Sequence, residues 1–140
     1  MNAMLTPVLA LIGWSLVMWV WMYATRLPAM SKAGISPQDA RFPGSLDKLP
    51  DGTRQAADNY NHLMEQPTIF YALVFYLYLA GRADDLNVKL AWAYVVLRVV
   101  HSLVQATVNR VTVRFAVFSL GTLTLAAMVV REVLTLLAAR

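Results

Sequence analysis

Polar and ionisable side chains recur at helical spacing in two stretches of the chain. The first stripe consists of Arg54, Asp58, Asn61, His62 and Glu65, and the second of Tyr94, Arg98, His101, Gln105 and Asn109. Because residues three or four apart share one face of an α-helix, each stripe predicts a polar helical face. Guanidinium groups bind carboxylates through paired hydrogen bonds, so a cavity between these faces suits an anionic ligand with several polar groups.

The two stripes also admit a purely structural interpretation, in which interhelical hydrogen bonds and one ion pair fix the packing. Glu65 is interpreted as the only carboxylate well within an apolar segment and Arg98 as the central cation, so the two are predicted to pair. His62 and His101 are too few to predict a metal site. The sequence has no cysteine, which excludes a protein thiol nucleophile, so any reactive thiol must belong to a substrate.

The composition predicts a membrane protein. The 140 residues are 59% apolar and 14% charged, whereas an ordinary soluble domain carries about 25% charged residues. Too few charges remain to coat a water-exposed surface, which excludes a water-soluble monomer. The net charge of +4 is spread between apolar runs without a basic cluster, so nucleic acid is not expected as a partner. The length predicts one domain, residues 1–140.

Four apolar segments could position these stripes across a bilayer, which takes about 20 residues per helix. The predicted helices cover residues 4–26, 53–81, 87–109 and 112–138, and Pro67 is predicted to kink the second. The first is interpreted as a retained span rather than a signal peptide, because no basic residue precedes it and it ends in an aromatic belt. Residues 27–52 form a long loop rich in proline and glycine. The expected fold is an all-α integral membrane protein, a bundle of four transmembrane helices.

The distribution of lysine and arginine predicts the orientation of this bundle. Seven basic residues belong to the first and third loops: Arg26, Lys32, Arg41, Lys48, Arg54, Arg110 and Arg114. Four lie on the opposite side of the membrane: Arg82, Lys89, Arg131 and Arg140. The richer loops are expected in the cytoplasm, with both termini outside. The polar stripes then lie toward the cytoplasmic leaflet with Arg26 and Arg114, while Arg131 and Arg140 are interpreted as interfacial anchors.

The segment from Asp58 to Tyr71, with the sequence DNYNHLMEQPTIFY, resembles the MAPEG family of membrane-associated proteins in eicosanoid and glutathione metabolism. Arg26 closes the first helix, as a cytoplasmic-end arginine does in many members. Arg98-Val99-Val100-His101 resembles an Arg-x-x-His element, and Arg114 follows His101 by thirteen residues, at the start of the fourth helix. The resemblance covers nearly the whole chain and indicates a bacterial-type member, which implies a bacterial inner membrane.

The resemblance implies a homotrimer of four-helix subunits, with glutathione as co-substrate between subunits near the cytosolic side. A lipophilic small-molecule substrate is then expected to enter from the membrane lipid. Arg114 receives the catalytic role of stabilising the glutathione thiolate, and its alternative is an interfacial anchor. The glutathione-binding candidates are Arg26, Asn61, His62, Glu65, Arg98, His101 and Gln105. No metal is implied.

The chain departs from many catalytic members of that family at three places. His62 stands where they have asparagine, Pro67 follows Glu65 by two residues rather than three or four, and Gln105 replaces a tyrosine. The leading hypothesis is a membrane-bound glutathione-dependent transferase or peroxidase acting on lipophilic electrophiles or lipid hydroperoxides. The alternatives are a non-catalytic lipid-binding or scaffold protein of the same fold, and a proton-driven exporter that relies on Glu65.

Overall fold

The structure, a computed structural model, describes residues 3–139, and these residues form helices without any strand. In chain order the elements are α1 (Thr6–Ala33), a short 3-10 helix (Pro37–Ala40), α2 (Asp51–Leu63), α3 (Pro67–Leu79), α4 (Asp85–Ala106) and α5 (Val111–Ala138). Three of them, α1, α4 and α5, are long and apolar enough to cross a membrane. The chain is therefore an all-α membrane protein.

The first helix is longer than the sequence predicts. It continues through Pro28 to Ala33, because an internal proline removes one backbone hydrogen bond without preventing the flanking turns from forming. It ends at Gly34, whose φ of +68° places it in the left-handed region. There the N–H of Ile35 donates to the carbonyl of Met30 at 3.0 Å, a common way to close a helix. The following loop is correspondingly shorter than residues 27–52.

The second predicted helix is interrupted, and the break falls in the middle of its polar stripe. Helix α2 ends at Leu63 and α3 begins at Pro67. Pro67 has no N–H to continue the helical ladder, but it is well suited to the first turn of a new helix. Thr68 supports the new start, because its hydroxyl donates to the carbonyl of Glu65 at 2.7 Å. Neither α2 nor α3, with 13 residues each, is long enough to span a bilayer alone.

Helix α4 begins two residues earlier and ends three residues earlier than predicted. Asp84 caps its start, because the Asp84 carboxylate accepts a hydrogen bond from the N–H of Asn87 at 2.8 Å. After Ala106 the chain turns at Asn109, whose φ of +49° is left-handed and whose N–H donates to the carbonyl of Val104 at 2.7 Å. This tight link carries the chain directly into α5.

Helix α4 lies at the centre of the subunit, in contact with α1, α2 and α5. Side chains from these helices and from α3 form one apolar core, in which the Phe70 and Tyr94 rings stack with their centroids 4.6 Å apart. Gly121 of α5 faces the Tyr94 ring, and a Cβ added there would lie 3.6 Å from its nearest ring carbon. In the interrupted segment, α2 thus packs on α1 and α4, and α3 meets the surface of α4 at the Phe70–Tyr94 stack.

Gln66 joins the link between α2 and α3 to helices α4 and α5. Its side-chain carbonyl accepts from the Tyr94 hydroxyl at 3.2 Å, and its amide donates to the Thr122 hydroxyl at 2.9 Å. One side chain in the link between α2 and α3 therefore joins α4 to α5. Sequence reasoning missed this residue because a glutamine next to a proline carries no helical periodicity.

Replacing Gln66 with leucine is expected to destabilise the protein by about 2 kcal/mol, because the buried Tyr94 hydroxyl loses its acceptor. The free energy of unfolding, measured by detergent titration in mixed micelles, checks this. Gln55→Leu is the matched control, since the Gln55 side chain makes no hydrogen bond within residues 3–139. Equal losses in the two variants would contradict the role of Gln66.

The opposite end of the bundle is closed by two ion pairs. Arg131 of α5 bonds the Asp84 carboxylate at 3.0 Å and the Asn87 side chain at 2.6 Å, and Arg82 lies 3.5 Å from Glu132. Arg131, predicted as an interfacial anchor, thus also has partners in the turn before α4, and its anchoring role stays a prediction. Arg140 lies outside the described residues. Glu132 is only 7% exposed, so Glu65 is not the only carboxylate within an apolar helix.

We expect the contribution of Asp84 to disappear in acid. The hydrogen bond from Arg131 holds the pKa of the Asp84 carboxyl below its ordinary value of 3.8. Its stabilising effect is therefore complete above that value and is lost as the pH falls through the lower, folded-state pKa. The difference in thermal midpoint between wild type and Asp84→Asn should shrink from about pH 6 to about pH 3. A difference that stays constant over that range would contradict the assignment.

Candidate functional site

Arg98 is the centre of the polar region between α2 and α4. It is only 1% exposed, and its Nη2 donates to the His62 Nδ1 at 2.8 Å and to the His62 carbonyl at 3.3 Å. Its guanidinium also lies over the Phe118 ring, 5.8 Å from the centroid. The sequence stripes thus correctly bring α2 and α4 together at this arginine.

The predicted ion pair between Arg98 and Glu65 is wrong. Glu65 is exposed and forms no salt bridge within residues 3–139, whereas Arg98 bonds His62. The physical reason is the end of α2 at Leu63, which removes Glu65 from the helical register on which the prediction depended. Without this carboxylate the buried Arg98 keeps a net positive charge.

Two histidines from different helices stack beside Arg98. The rings of His62 and His101 have centroids 4.8 Å apart and an interplanar angle of 21°. Because the Arg98 guanidinium can only donate, the His62 Nδ1 must accept, which leaves the ring proton of a neutral His62 on Nε2. Phe118 of α5 meets the His62 ring edge-on at 5.5 Å. Arg98 and Phe118 therefore both contact the histidine pair.

A cavity of about 190 Å³ opens next to this histidine pair, between α2, α4 and the start of α5. Its polar side is formed by His62, His101 and Arg114. Its apolar side is formed by Val111, Phe115 and Phe118. The cavity thus combines a cationic wall with a hydrophobic wall.

Arg114 reaches the cavity from the first turn of α5. The tight link after α4 positions it, because Arg114 donates to the side-chain oxygen of Asn109 at 2.5 Å. Asn109 is the residue in the left-handed conformation, so its backbone forms the turn between α4 and α5 while its side chain holds Arg114. Arg114 is half-buried and lines the cavity with one side.

Several buried polar atoms on α4 and at the start of α5, in or near the cavity wall, lack a hydrogen-bond partner within the described part of the chain. They are Arg98 Nε and Nη1, His101 Nδ1, Gln105 Oε1 and Arg114 Nε. Buried polar groups are nearly always hydrogen-bonded in folded proteins. These atoms therefore suit a ligand, or a neighbouring subunit, that supplies acceptors for two guanidinium groups.

The remaining predicted site residues lie at different distances from the cavity. Gln105 is buried one turn beyond His101 on α4. Asn61 is exposed on α2, and Glu65 is exposed in the break. Arg26 is half-buried on α1 with its Nε unpartnered, and it does not line the cavity. Within one subunit the structure brings together His62, Arg98, His101 and Arg114 and leaves the other candidates outside.

Sequence reasoning missed a second buried polar contact in the same interface. Ser102 donates to the side-chain oxygen of Asn59 at 2.8 Å, and both residues are buried. Asn59 lies three residues before His62, and Ser102 directly follows His101, so their proximity to the stripes was the available signal. Within residues 3–139, no group of three or more histidine, aspartate or glutamate side chains could hold a metal ion.

Comparison with known proteins gives one match. The model of the MAPEG family matches the chain over residues 4–134. Neither a search of curated proteins nor a search of solved structures found a match. The family match covers nearly the whole sequence and agrees with the resemblance of the Asp58–Tyr71 segment. This chain therefore belongs to the MAPEG family.

Proposed function

We propose that this protein is a membrane-bound glutathione-dependent transferase or peroxidase acting on lipophilic electrophiles or lipid hydroperoxides. The observation that carries the proposal is the two-sided cavity, with Arg114 and two histidines on one wall and Val111, Phe115 and Phe118 on the other. A cationic wall suits an anionic thiol, and an apolar wall within a membrane-spanning bundle suits a lipophilic partner. Family membership is consistent with this activity.

In the proposed site Arg98 and Arg114 contact different parts of glutathione. Arg98, with two unpartnered nitrogens, donates hydrogen bonds to a carboxylate of glutathione. Arg114 faces the thiol, where a nearby positive charge lowers the pKa of a thiol and raises the fraction of reactive thiolate. His62 donates from Nε2 to a polar group of either substrate.

The chemistry needs no protein nucleophile. With an electrophile such as an aryl halide, the thiolate forms a carbon–sulfur bond and halide leaves with the bonding electrons. With a hydroperoxide, the thiolate attacks the terminal oxygen, the O–O bond breaks, and the alkoxide takes a proton from water. The resulting sulfenic acid of glutathione reacts with a second glutathione to give the disulfide and water. The protein contributes thiolate stabilisation and proximity at the membrane boundary.

The size of the cavity supports a shared site. Small-molecule pockets usually measure about 300–1,000 Å³, and the cavity in one subunit is about 190 Å³. We therefore propose a homotrimer in which a neighbouring subunit completes the pocket and in which α2 and α3 together form the fourth span. Arg26, Asn61 and Glu65 would then contribute across the interface. Native mass spectrometry from detergent should give a trimer, and monomer alone over a wide concentration range would contradict this.

The proposed orientation follows the basic loops. The Arg114 end of the bundle, which also carries the 34–50 loop, faces the cytoplasm of a bacterial cell, where glutathione is available, and both termini face outward. The protein is thus proposed as a multi-pass component of the inner membrane.

One observation favours a second function, that of a non-catalytic lipid-binding or scaffold protein. One guanidinium nitrogen of Arg114, Nη1, already donates a hydrogen bond to the side-chain oxygen of Asn109 at 2.5 Å. If that bond persists when a ligand binds, Arg114 has fewer donors for a thiolate. This reading predicts binding of lipophilic molecules without turnover.

Turnover by the purified protein in lipid nanodiscs separates the two functions. We expect glutathione-dependent conjugation of a chromogenic aryl halide, glutathione-dependent reduction of a lipid hydroperoxide, or both. Saturable binding of a lipophile together with turnover no faster than the protein-free reaction would overturn the enzymatic proposal in favour of the scaffold.

A further inference from the structure

A second cavity lies at the end of α1, away from the histidine pair. It measures about 510 Å³ and is formed by the last turns of α1 and the chain just before α2. Lys32 and Lys48 contribute its two cations, one from the helix and one from the loop. Ala24, Pro28, Ala29 and Pro50 contribute an apolar floor. None of these residues lines the cavity at Arg114.

The two lysines of this cleft differ from the third lysine of the protein. Lys89, at the opposite end of the bundle, pairs with Asp85 at 2.6 Å. Lys32 and Lys48 form no salt bridge within residues 3–139. The nearest acidic residues in the sequence are directed elsewhere, since Asp51 pairs with Arg54 at 3.9 Å and Asp47 lines a different depression. Among the described residues, no salt bridge therefore neutralises the two lysines of the cleft.

The position of the cleft at the end of a membrane-spanning helix indicates a lipid as its ligand. Helix α1 is long and apolar enough to span a membrane, and Lys32 lies in its last turn, beyond the uncharged stretch that ends before Arg26. Lys32 is therefore expected at the boundary between membrane and water. Anionic headgroups lie at that depth, with glycerol and acyl chains toward the bilayer centre. The two ammonium groups of the cleft therefore match the headgroup, and its apolar floor matches the glycerol and acyl chains.

Pro28 adds an acceptor to the floor. It has no N–H, so the Ala24 carbonyl, four residues earlier in α1, lacks its usual helical donor. Ala24 lines the same cleft. A headgroup that carries a hydroxyl can donate to this carbonyl while its phosphate contacts the lysines.

We propose that the Lys32–Lys48 cleft is a binding site for an anionic phospholipid with a hydroxyl-bearing headgroup, from the leaflet at this end of the bundle. The phosphate lies between the two ammonium groups and the glycerol lies on the apolar floor. This site is separate from the proposed glutathione cavity and does not depend on it.

Native mass spectrometry of the purified protein with phosphatidylglycerol or phosphatidylcholine tests the site. Wild type should prefer phosphatidylglycerol by about 25-fold, because two lysines contribute about fivefold each. Lys32→Gln/Lys48→Gln should lose that preference, and Lys32→Arg/Lys48→Arg should keep it. Lys89→Gln is the matched control and should bind as wild type does.

Three results would overturn the proposal. The first is an unchanged preference in Lys32→Gln/Lys48→Gln, and the second is an equal loss in Lys89→Gln. The third is displacement of phosphatidylglycerol by an equal concentration of inorganic phosphate, which would indicate a site for a free anion. If the double glutamine variant does not fold, the single variants Lys32→Gln and Lys48→Gln must each lower the preference by about fivefold, and an unchanged value in both overturns the proposal.

Discussion

Replacing Arg114 with lysine is expected to lower glutathione-dependent turnover by about 100-fold, the usual effect of losing one positioned donor in a transition state. The guanidinium can hold Asn109 with one nitrogen and face the cavity with the others. A lysine ammonium is a single charged point and cannot keep both contacts in that geometry. Arg114→Ala should lose at least as much activity. Steady-state conjugation of glutathione to an aryl halide, measured in lipid nanodiscs, checks this prediction.

A matched control distinguishes catalysis from membrane anchoring. Arg110 lies one turn earlier, at the start of α5, and its exposed side chain makes no hydrogen bond within the described part of the chain. An anchor at the lipid headgroups tolerates lysine, because lysine places its charge at the interface equally well. Arg110→Lys should therefore keep normal turnover. If Arg114→Lys also keeps normal turnover while remaining folded, Arg114 is an anchor and the catalytic assignment is wrong.

Replacing Arg98 with methionine is expected to remove glutathione binding without unfolding the protein. A buried guanidinium with two unpartnered nitrogens and no salt bridge within residues 3–139 opposes folding of the ligand-free protein. Methionine fills a similar volume without that charge, so the ligand-free variant should be at least as heat-stable as wild type. Saturating glutathione, at about 100 times its dissociation constant, should stabilise wild type by about 2.7 kcal/mol and the variant hardly at all.

Thermal unfolding with and without glutathione measures both parts of this prediction. Arg110→Met serves as the control for loss of one positive charge at the same end of the bundle, and it should respond to glutathione as wild type does. A variant at Arg98 that is strongly destabilised without ligand would show that the arginine is structural. A variant that keeps the full response to glutathione would show that Arg98 does not contact the ligand.

The site was predictable from the sequence where it depends on helical spacing. The stripes on α2 and α4 correctly grouped His62 with Arg98 and His101, because each helix remains regular up to those positions. The prediction failed at Glu65, where Pro67 interrupts the helix and ends the register. Spacing therefore locates polar contacts only as far as the helix continues.

Other features depend on contacts that periodicity cannot reveal. The Arg131–Asp84 pair joins residues 47 positions apart, and it follows from the packing of α5 on the turn before α4. Gln66 acts through a link between helices, where no periodic pattern exists. Arg26 lies on α1 and does not line the cavity. In the proposed trimer a contact between Arg26 and a ligand would form across an interface, and helical spacing within one chain does not reveal such a contact.

The proposed function requires that this protein hold glutathione as a thiolate beside Arg114. Ultraviolet difference spectroscopy measures this directly, because a thiolate absorbs where a thiol does not. Titration of wild type with glutathione should give a saturable thiolate band that is absent with S-methyl glutathione and strongly reduced in Arg114→Lys. If calorimetry shows that the protein is saturated with glutathione and no thiolate band appears, the proposed role of Arg114 in stabilising the thiolate is wrong.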